Sequence, residues 1–310
     1  MHQLHAIRPG RALSDNPYAG WPSCGDAALA ALYDNNSAPR NQRDLAALRV
    51  LSAQAHAAPL RWRTHGLLGG AHGQVDVALP AGAAAAPALL FVHGGRWRMN
   101  TSRETAFWAS AATAAGWAFV GLNFPKLGEV SLSAQVQAVQ DRIAAVFANA
   151  AALGLDAERC VLAGHSSGAH LALAAALDLS GRAAHGAAWL PRLRALYLLG
   201  GMYDLRPLAQ CTPADALGFD ADEAARMSPL LALHASAGFT LPPVLVGVGA
   251  QESSEFVRQA RALHWALNLN ATCAWQSVEG AAHFDAPLEF NRPQSHARSF
   301  VHTALAAEVA

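Results

Sequence analysis

Cys160-Val161-Leu162-Ala163-Gly164-His165-Ser166-Ser167-Gly168-Ala169-His170 is the stretch that decides the fold. Four apolar residues run into Gly-x-Ser-x-Gly, and a helical, alanine- and leucine-rich pattern from Ala169 to Leu179 follows at once. A short apolar run bounded by glycine is what a parallel strand buried on both faces looks like. The motif therefore falls in a strand–turn–helix context, which is where it carries meaning. Its glycines let strand and helix approach closely. Its serine is lifted above the sheet, at a helix N-terminus that favours developing negative charge. Ser166 is thus a candidate nucleophile; the competing reading is a plain helix cap.

Working outward, similar runs recur at Ala88–Val92, Trp117–Leu122, Leu193–Leu199 and Val244–Val248, with a last strand at Ala274–Val278. Gln74–Leu79 alternates through Val75, Val77 and Leu79, as a strand with one solvated face does. Helical patterns lie between them at Thr105–Ala115, Leu132–Leu153, Ala169–Leu179 and Glu255–Leu267, and Ser295–Ala307 closes the chain. Strand and helix in alternation predict an α/β fold with a mostly parallel central sheet and helices on both faces. Ahead of the sheet, Asp26–Tyr33 and Asn41–His56 read as helices around a turn at Asp34–Pro39, with Leu45, Leu48 and Leu51 in one stripe. The expected organisation is an N-terminal arm or partial lid over residues 1–60 and a catalytic domain over 61–310. Gly69–Gly73 has no strand in front of it and reads as a turn rather than a nucleotide loop.

The 310 residues carry 22 Lys+Arg against 22 Asp+Glu, so no basic field invites nucleic acid or an anionic membrane. Charged residues make up 14% and apolar residues 53%, which excludes general disorder. The four cysteines, Cys24, Cys160, Cys211 and Cys273, form no Cys-x-x-Cys pair. Cys160 and Cys273 sit in apolar runs, where a free thiol acts as a small hydrophobe. The first residues lack a continuous apolar run, so no secretory signal is expected and a cytoplasmic location is. His2 and His5 on a free arm make a poor metal site, and neither metal nor cofactor is expected.

Functional groups on parallel sheets gather in loops at the carboxyl ends of strands. His93-Gly94-Gly95-Arg96-Trp97 follows Val92 and matches the place where the second arm of an oxyanion hole is built. The backbone N–H groups of Gly94 and Gly95 are candidate donors there, and that of Ser167 is the first arm. His93 reads as a brace for this loop. Glu252, in the loop after Val248, is the candidate acid; Asp204, after Leu199, is its rival. Glu255 is explained by the dipole of the helix it opens. His283, after the last strand, is the candidate base, since the order Ser166, Glu252, His283 suits this architecture. Trp97, Phe284, Tyr33 and Trp21 are candidate aromatic walls of a substrate slot; for Trp21 and Tyr33 the alternative is packing on the back of the domain.

These residues resemble the α/β-hydrolase superfamily, and within it the kynurenine formamidase branch. The resemblance is carried by His93–Trp97, by Gly164–His170, by Tyr203-Asp204-Leu205-Arg206-Pro207-Leu208 and by Glu252-Ser253-Ser254-Glu255-Phe256-x-Arg258-Gln259. Tyr33-Asp34-Asn35-Asn36 is similar to a stretch near the start of these proteins. The family usually has Asp where this chain has Glu252. The resemblance implies a serine hydrolase cleaving N-acyl (N-formyl) arylamines through an acyl-enzyme, without cofactor. A carboxylesterase for short acyl or aryl esters is the alternative, and a non-catalytic binder a third reading. The expected partner is a small aryl amide or ester, with no nucleic acid and no membrane; a homodimer is left open as the assembly.

Overall fold

The computed structural model describes residues 5–6, 12–70, 72–181, 188–235, 239–268 and 273–306. His2 and Ala307, named above, lie outside them. Eight strands form one sheet: β1 (Arg61–Gly66), β2 (Gln74–Leu79), β3 (Ala86–Val92), β4 (Ala118–Leu122), β5 (Leu155–His165), β6 (Leu193–Leu199), β7 (Val244–Gly249) and β8 (Cys273–Val278). Their order across the sheet is β8-β7-β6-β5-β3-β4-β2-β1. All pairs are parallel except those that β2 makes with β1 and β4. A separate two-residue pairing joins His5–Ala6 to Thr240–Leu241.

The helices are α1 (Asp26–Leu32), α2 (Pro39–Ala57), α3 (Ala109–Ala114), α4 (Leu132–Ala148), α5 (Ser167–Ala176), α6 (Arg206–Cys211), α7 (Pro229–Ala235), α8 (Ser254–Asn268) and α9 (His296–Ala306), besides three of four to six residues at Ala150–Leu153, Ala214–Leu217 and Ala221–Arg226. Successive side chains of a strand point to opposite faces, and here both faces are covered. Leu90, Val92, Leu162 and Leu198 pack with α4, α5 and α8 on one side. Leu89, Phe91, Val161 and Leu199 pack with α3 and α9 on the other. That double burial is why these strands read as continuous apolar runs. Leu29 and Tyr33 belong to the first cluster, and Leu48 and Ala55 to the second. The arm therefore shares the core of the sheet domain.

Three differences from the sequence expectations stand out. β1 was not expected, because its Arg-Trp-Arg-Thr-His pattern is largely solvated and exists through pairing with β2. A strand thus precedes Gly69–Gly73, which is the β1–β2 turn, closed by Leu67 N–H to the Gly73 carbonyl at 3.0 Å. The segment between β6 and β7, unassigned from sequence, folds into α6, α7 and two helices of four and six residues beside the strand ends. No helix among the described residues is long and apolar enough to cross a membrane.

Candidate active site

The tight β5–α5 turn holds Ser166 at φ 57°, ψ −129°, a left-handed conformation that costs a non-glycine residue free energy. Glycines make it feasible. A Cβ at Gly164 would collide with the Gly168 backbone, and one at Gly168 with the Val92 and His93 carbonyls. The Ser166 N–H is fixed to the Leu199 carbonyl at 2.9 Å. The hydroxyl is consequently presented at the carboxyl edge of the sheet.

His283, in the loop after β8, places Nε2 2.9 Å from Ser166 Oγ. Its Nδ1 lies 2.5 Å from Glu252 Oε2. The other carboxylate oxygen, Oε1, accepts the Gly249 N–H at 2.9 Å. All three side chains are nearly withdrawn from water. Phe256, Phe284 and His165 wall the imidazole, with ring centres 4.8, 4.9 and 4.8 Å away. Gly200 leaves room for Glu252 and His283: at φ 57°, a Cβ there would sit 3.0 Å from Glu252 Oε1 and 3.3 Å from His283 Nδ1.

His165 is neutral, because burial and the neighbouring His283 hold its pKa well below the usual value. A carbonyl only accepts, so His165 Nε2–H donates to the His283 carbonyl at 3.0 Å and fixes the loop that carries His283. His93 is held at about 4 by burial. It braces its loop by Nδ1–H donation to the Gly94 carbonyl at 2.9 Å and stacks on Phe124.

Gly94 lies against the serine turn: a Cβ there would be 2.8 Å from the His165 carbonyl and 3.0 Å from Ser166 Cβ. Gly95 has φ 129°, and a Cβ would be 2.5 Å from the Met99 carbonyl. Among the described residues, the N–H groups of Gly94, Gly95 and Ser167 donate to no other group. Gly94 and Gly95 border the cavity that contains Ser166 and His283, and Ser167 follows the serine at the start of α5.

That cavity measures about 250 Å³. Tyr33, Phe107, Phe256 and Phe284 supply its rings, and Leu45, Leu48 and Arg49 of α2 close one side. Of the four expected aromatic walls, Tyr33 and Phe284 line it; Trp97 and Trp21 do not. The positive φ values of Arg96 and Trp97, 50° and 62°, carry the Trp97 indole into the core. There its Nε1–H donates to His170 Nδ1 at 3.1 Å. Trp21 instead stacks under Arg206 and bonds Gln210. Phe107 was missed from sequence, since only the tertiary fold brings its loop over the serine.

Asp204 is fully buried and, as a loop anchor, holds the Arg206 guanidinium through two bonds, at 2.9 and 2.8 Å, and the Arg206 N–H through a third at 3.1 Å. Glu255 needs a correction: the helix dipole alone does not explain it, because it is a buried tie. It pairs with Arg258 at 2.5 Å and accepts the Tyr33 hydroxyl at 2.5 Å. Arg258 also donates to the Tyr18 and Ala19 carbonyls, and Gln259 bonds both Tyr33 and the 203–204 backbone. Glu255, Arg258 and Gln259 thereby stitch the arm to the loops around Glu252 and Asp204. Arg40, at the start of α2, adds bonds to Gln251, Gly280 and Asp285, clamping α2 to the loops that carry Glu252 and His283. No cluster among the described residues has the His, Cys, Asp and Glu composition to hold a metal ion. Cys160 is buried with its pKa pushed up to about 12, an inert thiol.

The BD-FAE family model matches residues 75–188. A kynurenine formamidase of Danio rerio is 27% identical over 222 residues, covering 68% of this chain and 70% of that protein. A Silicibacter sp. TM1040 protein provisionally assigned as a thioesterase superposes with TM-score 0.73 at 25% identity, over 89% of this chain and 98% of its own. Esterase B of Lactobacillus rhamnosis shares the fold at TM-score 0.67 and 18% identity, over 90% and 96% of the two chains. By its sheet order and these likenesses the chain has the α/β-hydrolase fold, and it is similar in sequence to kynurenine formamidases and in structure to esterases.

Proposed function

We propose that the protein hydrolyses N-acyl, in the first place N-formyl, arylamines through an acyl-enzyme on Ser166. The observation that carries the proposal is the unbroken chain from Ser166 Oγ to His283 Nε2 at 2.9 Å and from His283 Nδ1 to Glu252 at 2.5 Å. His283 takes the serine proton as Oγ bonds to the substrate carbonyl carbon. Glu252 fixes the Nδ1–H tautomer and steadies the imidazolium. The N–H groups of Gly94, Gly95 and Ser167 face the new oxyanion, each worth roughly 3–4 kcal/mol in comparable sites. The C–N bond then breaks, and the amine leaves with the proton from His283. Water, deprotonated by the same imidazole, releases the acid and restores the serine. The chemistry calls on no metal or organic cofactor.

The aryl preference is supported by a small cavity walled with four aromatic rings and by the kinship with formamidases. A carboxylesterase acting on short acyl or aryl esters is the second reading, favoured by the esterase neighbours. A hydrolysis panel separates the two. N-formylkynurenine and other N-formyl and N-acetyl anilines are compared with p-nitrophenyl esters of increasing chain length. A higher kcat/KM on the formyl anilines than on the matched aryl formate supports the amidase. Ester turnover without amide turnover leaves the esterase reading, and turnover of neither rejects both.

A further inference from the structure

We infer that Trp97, His170 and the Ser167 hydroxyl form a positioning device that sets the spacing between the two arms of the oxyanion hole. The inference rests on the acyl-transfer reading above. The loop that carries Gly94 and Gly95 runs through three consecutive positive φ values, at Gly95, Arg96 and Trp97. Such a conformation persists only when its surroundings over-determine it. The determinants converge on Trp97. Its backbone N–H donates to Ser167 Oγ at 3.2 Å. Its carbonyl accepts from the Leu127 N–H at 2.9 Å and from Gln135 Nε2 at 2.8 Å. Its indole N–H donates to His170 Nδ1 at 3.1 Å.

Two of these four bonds end on α5, the helix whose first N–H, that of Ser167, is the other oxyanion arm. One ends on the side-chain hydroxyl of Ser167, the residue that carries that arm, and the other on the His170 ring three residues further along the helix. Together they fix the glycine loop to the helix at two points. His170 suits the part because it is fully buried and its Nε2–H is committed to the Met227 carbonyl at 2.7 Å, which leaves Nδ1 as an obligatory acceptor. Phe219 packs edge-on against the indole, 5.7 Å between centres, and blocks an alternative ring position. Neither Trp97 nor His170 borders the cavity, so neither touches substrate.

An oxyanion hole works through donors fixed in advance, and a shift of about 1 Å in a reacting or stabilising group costs on the order of 10²-fold in rate. The test uses the full chain in four variants: Trp97→Phe, which keeps the ring and loses the N–H; His170→Ala; the double variant; and Ser167→Ala, which keeps the backbone N–H and loses the acceptor. A fluorophosphonate titration counts competent serines, and kcat and KM on the best panel substrate are expressed per titrated site, beside melting temperatures. Expected are a kcat lower by about tenfold to a hundredfold in each variant, KM within about twofold, and a double variant no worse than the poorer single. His170→Asn, which retains an acceptor near the Nδ1 position, should recover part of the loss. Unchanged kcat per titrated site, whatever the melting temperature, overturns the inference. So does a change confined to KM, or losses that multiply in the double variant. If Trp97→Phe does not fold, Ser167→Ala decides alone by the same kcat criterion. Ser166→Ala is run alongside: activity surviving there rejects the acyl-enzyme reading itself, whereas its loss beside an unaffected Trp97→Phe rejects only the positioning device.

Discussion

Replacing Glu252 by glutamine is the most informative single change to the acid. The two carboxylate oxygens have different partners: Oε1 accepts the Gly249 N–H at 2.9 Å, and Oε2 faces His283 Nδ1 at 2.5 Å. A glutamine in the same place keeps its oxygen toward Gly249, since an NH2 group there would oppose an N–H. Its NH2 is then aimed at His283 Nδ1. The imidazole answers by placing its proton on Nε2, which faces Ser166 Oγ at 2.9 Å and can no longer accept the serine proton. The expected fall in kcat is about 10⁴-fold, or roughly 5.5 kcal/mol, as for the corresponding wrong tautomer in serine proteases. Glu252→Asp keeps the charge but withdraws it by about 1.5 Å, one C–C step. The 2.5 Å contact then opens to about 4 Å, so an intermediate loss is expected. Asp204→Asn, which weakens the anchor on Arg206, should cost stability with kcat within about tenfold. The assay is kcat per titrated serine on a p-nitrophenyl ester and on a formyl anilide, with circular dichroism to confirm folding. A Glu252→Gln enzyme within tenfold of the parent, or a larger loss in Asp204→Asn, would refute the tautomer argument.

Gly200→Ala should lower kcat about tenfold with KM little changed, because its Cβ crowds both Glu252 and His283; a normal kcat would show the pair tolerates that contact. Tyr33→Phe removes a buried hydroxyl shared by Glu255 and Gln259 and should destabilise the fold by about 1–3 kcal/mol in urea titrations, and no change would separate the arm from the stability of the domain. Stability should fall as pH drops from about 6.5 to about 4. His93 and His170 are held at about 4 in the folded chain by burial, while the unfolded chain binds their protons near the ordinary value. Each contributes up to about 3 kcal/mol across that window, and His93→Gln should flatten the slope by about one proton; an unaltered slope would mean His93 titrates alike in both states.

The strands that position the site were legible because both their faces are buried: Leu89–Val92 and Val161–Ala163 show no alternation to confuse with anything else. The Gly-x-Ser-x-Gly turn was legible because each glycine answers a backbone collision. β1 was not, since the apolar face it covers belongs to its neighbours. The helices between β6 and β7 are short and alanine-rich, and their reason to form lies in packing around Met227 and Leu230 rather than in a periodic pattern. Trp97 was misplaced because nothing local signals three consecutive positive φ values. Glu255 was under-read because its partner Tyr33 lies 222 residues away in the chain. Glu252 was picked out by loop position, and the folded chain sets it against His283, while Asp204 is already committed to Arg206.

The central claim is that Ser166 carries the acyl group, and trapping it is the most direct measurement. The protein is treated with a fluorophosphonate, the modified peptide is located by mass spectrometry, and hydrolysis of a formyl anilide is followed on the same sample. Stoichiometric modification at Ser166 with parallel loss of hydrolysis, and neither modification nor hydrolysis in Ser166→Ala, is the expected result. Modification at another residue, or hydrolysis that persists once Ser166 is blocked, would contradict it.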